Sequence, residues 1–326
     1  MKTTTKTKDS TNKADLIQVD RALESFREAG YDLSAAVGEV VDNSIDARAQ
    51  QIRVQTFEVE SENGKRPKKS IDTIAFADNG MGITSERLPH CLTMGYSSRY
   101  GERKGIGRFG VGAKLAALSQ ARRVDIYSRP IGTQQVYHTF FDLTLIKEGD
   151  QKFLEAEAVD GFPEKYAHMM YDEQGHHSFE SGTLVIWSDV DRLEEGGKFG
   201  SSVDERISEL FKYLGRTYRR FISNGLSIVL NERPVRLHDP LFLLENPLAI
   251  ELLRKEDWQG EIIQSDSVEV DSHEVEITVT ILPEKVRIQR GGGASVGKPA
   301  LISLYTFLRT KAELASCVMD AKSTMT

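Results

Sequence analysis

Glu39, Asn43 and Asp46 stand four and three residues apart within GEVVDNSIDARA, residues 38–49. At helical pitch that spacing stacks a carboxylate, an amide and a second carboxylate on one face. Val37, Val40, Val41 and Ile45 supply an apolar side, so these polar groups, with Asp42 among them, lie beside a core. Carboxylates placed there are costly unless something partners them. Alone, the pattern equally suits an amphipathic surface helix whose polar face meets water. Three further stretches bear on the choice. In FADNGMGI, residues 76–83, Asp78 ends a strand that holds its carboxylate rigidly. Gly80 and Gly82 let the backbone approach a flat ligand, although a DNG turn is common for other reasons. In GIGRFGVGAK, residues 105–114, four glycines precede a helix start. Backbone N–H groups there can point at phosphates, aided by the helix dipole, and Lys114 adds a positive charge. Gly105, Gly107 and Gly110 also satisfy GxGxxG, but no strand precedes them, so a dinucleotide fold lacks its context. In SGTLVIW, Thr183 opens a strand, which is ordinary for threonine.

The elements that must carry these residues follow from periodicity. Leu16, Val19, Leu23 and Phe26 mark a first helix from about Asp15, ended near Gly30. A second helix spans about Leu33 to Ala47. IRVQTFEVE and IDTIAFAD read as a hairpin joined by the turn-rich SENGKRPKKS. Residues 84–108 are polar and punctuated by glycine, which suits a mobile lid. FGVGAKLAALSQ opens another helix. RVDIYSR, QQVYHTFFDLTLI and GTLVIWSDV read as strands. LEEGGKFGSS, near residues 193–202, reads as a linker, after which VDERISELFKYLGRTYRRFI is a helix, with LSIVLNERPV and EVEITVTIL as strands.

Composition narrows the classes. A chain of 326 residues with 39% hydrophobic and 28% charged residues suits a globular protein of one large or two medium domains. Its net charge of −7 argues against a general polyanion binder. The basic cluster Lys65, Arg66, Lys68 and Lys69 reads most simply as a solvated hairpin tip. Cys91 and Cys317 lie far apart without zinc-site spacing, which fits a reducing compartment. The histidines lack metal-binding spacing, and His176–His177 reads as part of a loop. No apolar run approaches the ~20 residues that span a bilayer. Residues 1–14 read as a polar, disordered tail, and the protein is expected in the cytoplasm, away from membranes.

The four stretches together, ExxxNxxDA, DNGMGI, GxGxFGxGxK and GT in that order, resemble the GHKL ATPases. These are the gyrase B protein, the ninety-kilodalton heat-shock chaperones, MutL, MORC and the sensor histidine kinases. The FGVGAKLAALS and TMGYSSR segments are most similar to the MORC and MutL branch. A kinase would carry a phosphoacceptor helix, and none is expected before residue 15. The resemblance implies an α+β fold. Residues 15–195 would form a Bergerat-type α/β sandwich ATPase domain, and residues 203–326 a transducer-like second α/β domain that departs from the family pattern near the C-terminus.

The same resemblance implies ATP and Mg²⁺ as the bound species. Glu39 would be the general base. Asn43 would hold Mg²⁺ through its amide oxygen, and Asp46 would lie near the adenine edge. Asp78 would accept the adenine amine, which favours adenine over guanine, with Thr183 in support. Gly80, Met81 and Gly82 belong to the adenine loop, and Ile83 and Met94 would offer apolar contact to the base. Gly107, Arg108, Phe109, Gly110, Val111, Gly112 and Lys114 would form the lid hinge and phosphate cradle. Arg287, Arg290 or Lys298 would reach the γ-phosphate from the second domain. The expected function is an ATP-operated clamp or switch that hydrolyses ATP, closes its lid and dimerises, acting on a protein or nucleic-acid client. A nucleotide-gated module that recruits a partner with negligible turnover is the alternative. Direct nucleic-acid contact through Arg216, Arg219, Arg220 and the 65–69 cluster is a third reading.

Overall fold

The computed structural model describes residues 18–28, 30–61, 68–96, 112–172, 175–193, 202–245, 247, 250, 258–270, 273–283 and 303–308. The chain opens with α1 (Val19–Phe26) and α2 (Leu33–Asp46). Asp32 caps α2, its Oδ1 accepting the Ala35 N–H at 2.7 Å. The hairpin β1 (Gln51–Ser61) and β2 (Lys68–Asp78) follows. A 3₁₀ turn (Pro89–Cys91), α3 (Gly112–Gln120), β3 (Ala121–Arg129) and β4 (Val136–Asp142) come next. Then come α4 (Leu143–Glu148), β5 (Glu157–Val159), α5 (Glu164–Ala167), a second 3₁₀ turn (His168–Met170) and β6 (Gly182–Val190). Two helices, α6 (Val203–Thr217) and α7 (Arg219–Ser223), lead into β7 (Ser227–Leu230) and β8 (Arg233–Pro234). The last described strands are β9 (Glu261–Val270), β10 (His273–Ile281) and β11 (Ser303–Leu308).

Eight strands make one mixed sheet in the order β5-β4-β3-β6-β2-β1-β7-β8, and β11-β10-β9 make a second. Strand alternation divides the large sheet into two faces. Ile52, Val54, Ile74, Phe76, Val124, Ile126, Trp187, Ile228 and Leu230 face α1, α2, α3 and α6 and form the main apolar cluster. Ala75, Ala77, Leu184 and Ile186 face the other way and pack against Tyr166, Met169, Met170 and Phe179. The result is the expected α/β sandwich.

Two expectations are corrected. The strand expected through Leu143–Ile146 stops at Asp142, because the Asp142 carboxylate accepts the Thr144 and Leu145 N–H groups and starts α4. Residues from 203 onward were expected to open a second domain. Instead β7 pairs parallel with β1, from Gln51 beside Ser227 to Val54 beside Leu230. Leu210, Leu214, Ile228 and Leu230 join the main core. Residues 203–230 therefore share the core of the large sheet. Of the second-domain cations, Arg287, Arg290 and Lys298 lie outside the described residues. Among the described residues, no helix is long and apolar enough to cross a membrane.

Candidate functional site

The exposed end of α2 and the helix-facing surface of β2, β3 and β6 enclose a cavity of about 630 Å³. Glu39, Asn43 and Asp46 line it, as the helical spacing requires. Asp78, Ile83, Gly82, Gly112, Lys114 and Thr183 complete the expected residues on its wall. The polar face of α2 therefore borders an open cleft, with Asn43 and Asp46 still exposed.

Asp78 sits at the floor. It is 6% exposed and is the register partner of Thr183 across β2 and β6. Its Oδ1 accepts the Gly80 N–H at 2.8 Å, and its Oδ2 lies 3.0 Å from the Ser44 hydroxyl on α2. Burial pushes its carboxyl up to about 6, against the opposing pull of the Gly80, Ser44 and Thr183 hydrogen bonds. Thr183 is itself held, its Oγ1 lying 3.0 Å from the buried Ser128 hydroxyl. Ser128 also accepts the Ile83 N–H at 2.8 Å. Ser44 and Ser128 were not singled out from the sequence, since a serine in a helix or strand carries no signal until the register shows what it faces.

The DNGMG turn is pinned to both neighbours. Asn79 Oδ1 accepts the Gln50 and Gln51 N–H groups at 2.8 and 2.9 Å. The Met81 N–H donates to the Ala47 carbonyl at the end of α2 at 2.9 Å. These contacts fix the distance between the carboxylates of α2 and that of β2. Met81 itself is exposed, and Gly80 serves Asp78 through its N–H; neither lines the cavity. Met94 packs against the main apolar cluster and is not among the cavity-lining residues.

Glu39 points at the start of α3. A Cβ on Gly112 would come within 2.3 Å of Glu39 Oε2. Only glycine leaves the carboxylate its place. Burial raises the proton affinity of Glu39, and the negative charge of Asp42 adds to the effect. Lys114 is 7% exposed, and its ammonium donates to the Thr93 carbonyl at 2.6 Å and the Tyr96 carbonyl at 2.8 Å. It thus clasps the 93–96 segment to α3. Burial lowers its pKa. Gly107, Arg108, Phe109, Gly110 and Val111, with the remainder of the expected lid from 97 on, lie outside the described residues. Arg87, His90 and Tyr96 also reach the cavity wall, the rings of His90 and Tyr96 stacked at 4.1 Å.

The candidate nucleic-acid footprint is reduced by the structure. Arg219 is 2% exposed and lies 3.3 Å from the equally buried Asp239, so it is not part of a solvent-facing basic patch. Lys69 pairs with Glu58 at 3.6 Å, and Lys65 and Arg66 lie outside the described residues. Asp172 holds both members of the His176–His177 pair, through the His176 N–H at 2.7 Å and the His177 ring at 3.0 Å. No cluster of three metal-ligating side chains occurs among the described residues.

A mixed sheet covered by helices on one face holds a carboxylate-walled cavity between the two layers. Residues 31–170 match the family of histidine kinase-, DNA gyrase B- and HSP90-like ATPases. It is 25% identical over 215 residues to the B chain of the type 2 DNA topoisomerase 6 of Sulfurisphaera tokodaii, an alignment covering 64% of this chain and 35% of that protein. It is 29% identical over 97 residues to Protein MICRORCHIDIA 4 of Arabidopsis thaliana, covering 30% of this chain and 12% of that one. It is 26% identical over 98 residues to ATPase morc-1 of Caenorhabditis elegans, covering 30% and 10%. The expected likeness to the MORC branch is present. The chain spans about a third of the length of the topoisomerase protein, and less of the other two.

Proposed function

We propose that the chain binds and hydrolyses ATP in the α2–β2–β6 cavity and uses the cycle as a conformational switch. The observation that carries this reading is the convergence of Glu39, Asn43 and Asp46 from α2 with Asp78 and Thr183 from the sheet on one cavity. Asp78 is suited to accept the exocyclic amine of adenine, because its carboxylate is buried, held at both oxygens and set on a strand. Guanine presents a carbonyl at that position and would face the carboxylate oxygen to oxygen. Thr183 supports Asp78 from the partner strand. Asp46, on the exposed side of the same helix, would lie near the adenine edge through water.

Glu39 is proposed as the base that orients and deprotonates the attacking water. Burial has raised its proton affinity, which suits proton abstraction near neutral pH. The donor set fits magnesium, since Asn43 brings a neutral amide oxygen to the same wall. When bound, the ion supplies charge neutralisation on the phosphate oxygens. The chain's own contribution is positioning and exclusion of water, as in phosphoryl transfer generally. Lys114 and the α3 N-terminus would meet phosphate, Lys114 exchanging the Thr93 and Tyr96 carbonyls for it as the lid closes. Closure of the lid and association of two copies through the N-terminal helix complete the cycle. The client is a protein or a nucleic acid.

The test is calorimetric titration with ATP and GTP, with phosphate release measured in parallel. ATP binding with at least tenfold preference over GTP, and magnesium-dependent release of phosphate, support the reading. Equal affinity for the two purines contradicts the role given to Asp78. Gel filtration with a non-hydrolysable ATP analogue tests the switch: a dimer only with nucleotide supports it, and a monomer in every state contradicts it.

A further inference from the structure

The wall behind α2 comes from beyond the 31–170 family match. There α6 lies against α2. The approach is close: a Cβ on the buried Gly38 would come within 2.7 Å of the Tyr213 hydroxyl. Tyr218 sits at the break between α6 and α7 and is buried. Its hydroxyl lies 2.9 Å from the Gly38 carbonyl and 2.9 Å from Asp42 Oδ1. One phenol therefore grips the main chain just before Glu39 and a side chain one helical turn beyond Gly38. It does not line the cavity.

We propose that Tyr218 is a positioning residue for ATP hydrolysis, fixing the rotation and axial setting of α2 and so the aim of Glu39. This rests on the reading of Glu39 as the base. Polar contacts also hold the C-terminal end of α2, through Ser44 to Asp78 and the Met81 N–H to the Ala47 carbonyl, but around Glu39 the remaining footing is apolar, built from Ala36, Val37, Val40 and Val41. Apolar contacts are non-directional and tolerate small rotations, whereas a hydrogen bond prefers a narrow angle.

The test is Tyr218→Phe, which keeps the ring and its packing near Phe221. The expected result is a fall in kcat of roughly tenfold, since small misplacements of a reacting group are costly, with KM and measured ATP affinity within about twofold. Independently of turnover, amide exchange at 39–43 should quicken about tenfold while α3 is unchanged. A lowered Tm with kcat and exchange at wild-type values overturns the proposal and leaves Tyr218 a packing residue. Should this variant not fold, Asp42→Ala breaks the other arm of the bridge and must show the same split. Glu39→Gln is assayed alongside. If it hydrolyses ATP like the wild type, the reading of Glu39 fails. If it is inactive while Tyr218→Phe is normal in kcat and exchange, only the positioning inference fails.

Discussion

The Glu39 carboxylate occupies the space that any side chain at Gly112 would fill, with Oε2 lying 2.3 Å from an ideal Cβ at that position. Glu39 and the start of α3 are thus fitted to each other across 73 residues of chain. Gly112→Ala should therefore displace Glu39 with little change in helix content. The expected outcome is loss of turnover by about 10²-fold, with ATP still bound. Single-turnover kinetics and calorimetry on the variant check it.

Asp78 sets a pH dependence. Its carboxyl rises from 3.8 when exposed to about 6 in the fold. The folded state therefore binds more protons than the unfolded chain between those values. This group's contribution to stability is fully present below the unfolded value and is lost as pH rises through about 6. In the proposed role ATP affinity runs the other way, because the ionised carboxylate is a stronger acceptor for the adenine amine than the neutral acid. Affinity should weaken as pH falls below 6, by at most about tenfold per pH unit. Asp78→Asn should remove that limb and bind ATP more weakly at every pH. Calorimetric titration from pH 5 to 8 decides it.

Lys114 anchors the 93–96 segment by two hydrogen bonds from one ammonium. Lys114→Met keeps the stem and leaves the Thr93 and Tyr96 carbonyls without that donor. The expected cost is about 1–3 kcal/mol in stability, with faster amide exchange near 93–96. Thermal melts and exchange measurements on the nucleotide-free protein check both.

The Arg219–Asp239 pair ties the chain after β8 to the start of α7, both side chains being 2% exposed at 3.3 Å. Asp239 also accepts the Leu241, Leu243 and Leu244 N–H groups. Arg219→Ala removes the cation but leaves Asp239 its backbone N–H donors, and should cost about 1–3 kcal/mol. Because β7 belongs to the large sheet, the loss should appear as a lower midpoint of one cooperative transition. Two separated transitions would show that residues after 202 melt apart from the sheet.

Much of this site was legible because its signals are local. The 39/43/46 spacing declares a helix face, and an aspartate closing an alternating strand declares a held carboxylate. What escaped depends on contacts between distant segments. Ser128 matters because strand register sets it beside Thr183, 55 residues on. Tyr218 matters because α6 returns to the back of α2. The 193–202 segment has the composition of a linker, but composition reports a loop and is silent on whether the chain afterwards rejoins the same sheet. Leu143–Ile146 has strand-like residues, and a single capping carboxylate at Asp142 makes it helical.

Activation by Glu39 of the water that cleaves ATP is the step on which the proposed cycle depends. Steady-state magnesium-ATP hydrolysis by the wild type beside Glu39→Gln, with ATP affinity measured on both, tests it without intermediaries. The expected result is turnover by the wild type, and a variant that binds ATP within a fewfold of wild type but hydrolyses it at least about 10²-fold more slowly. A Glu39→Gln protein that hydrolyses ATP at the wild-type rate would contradict that role.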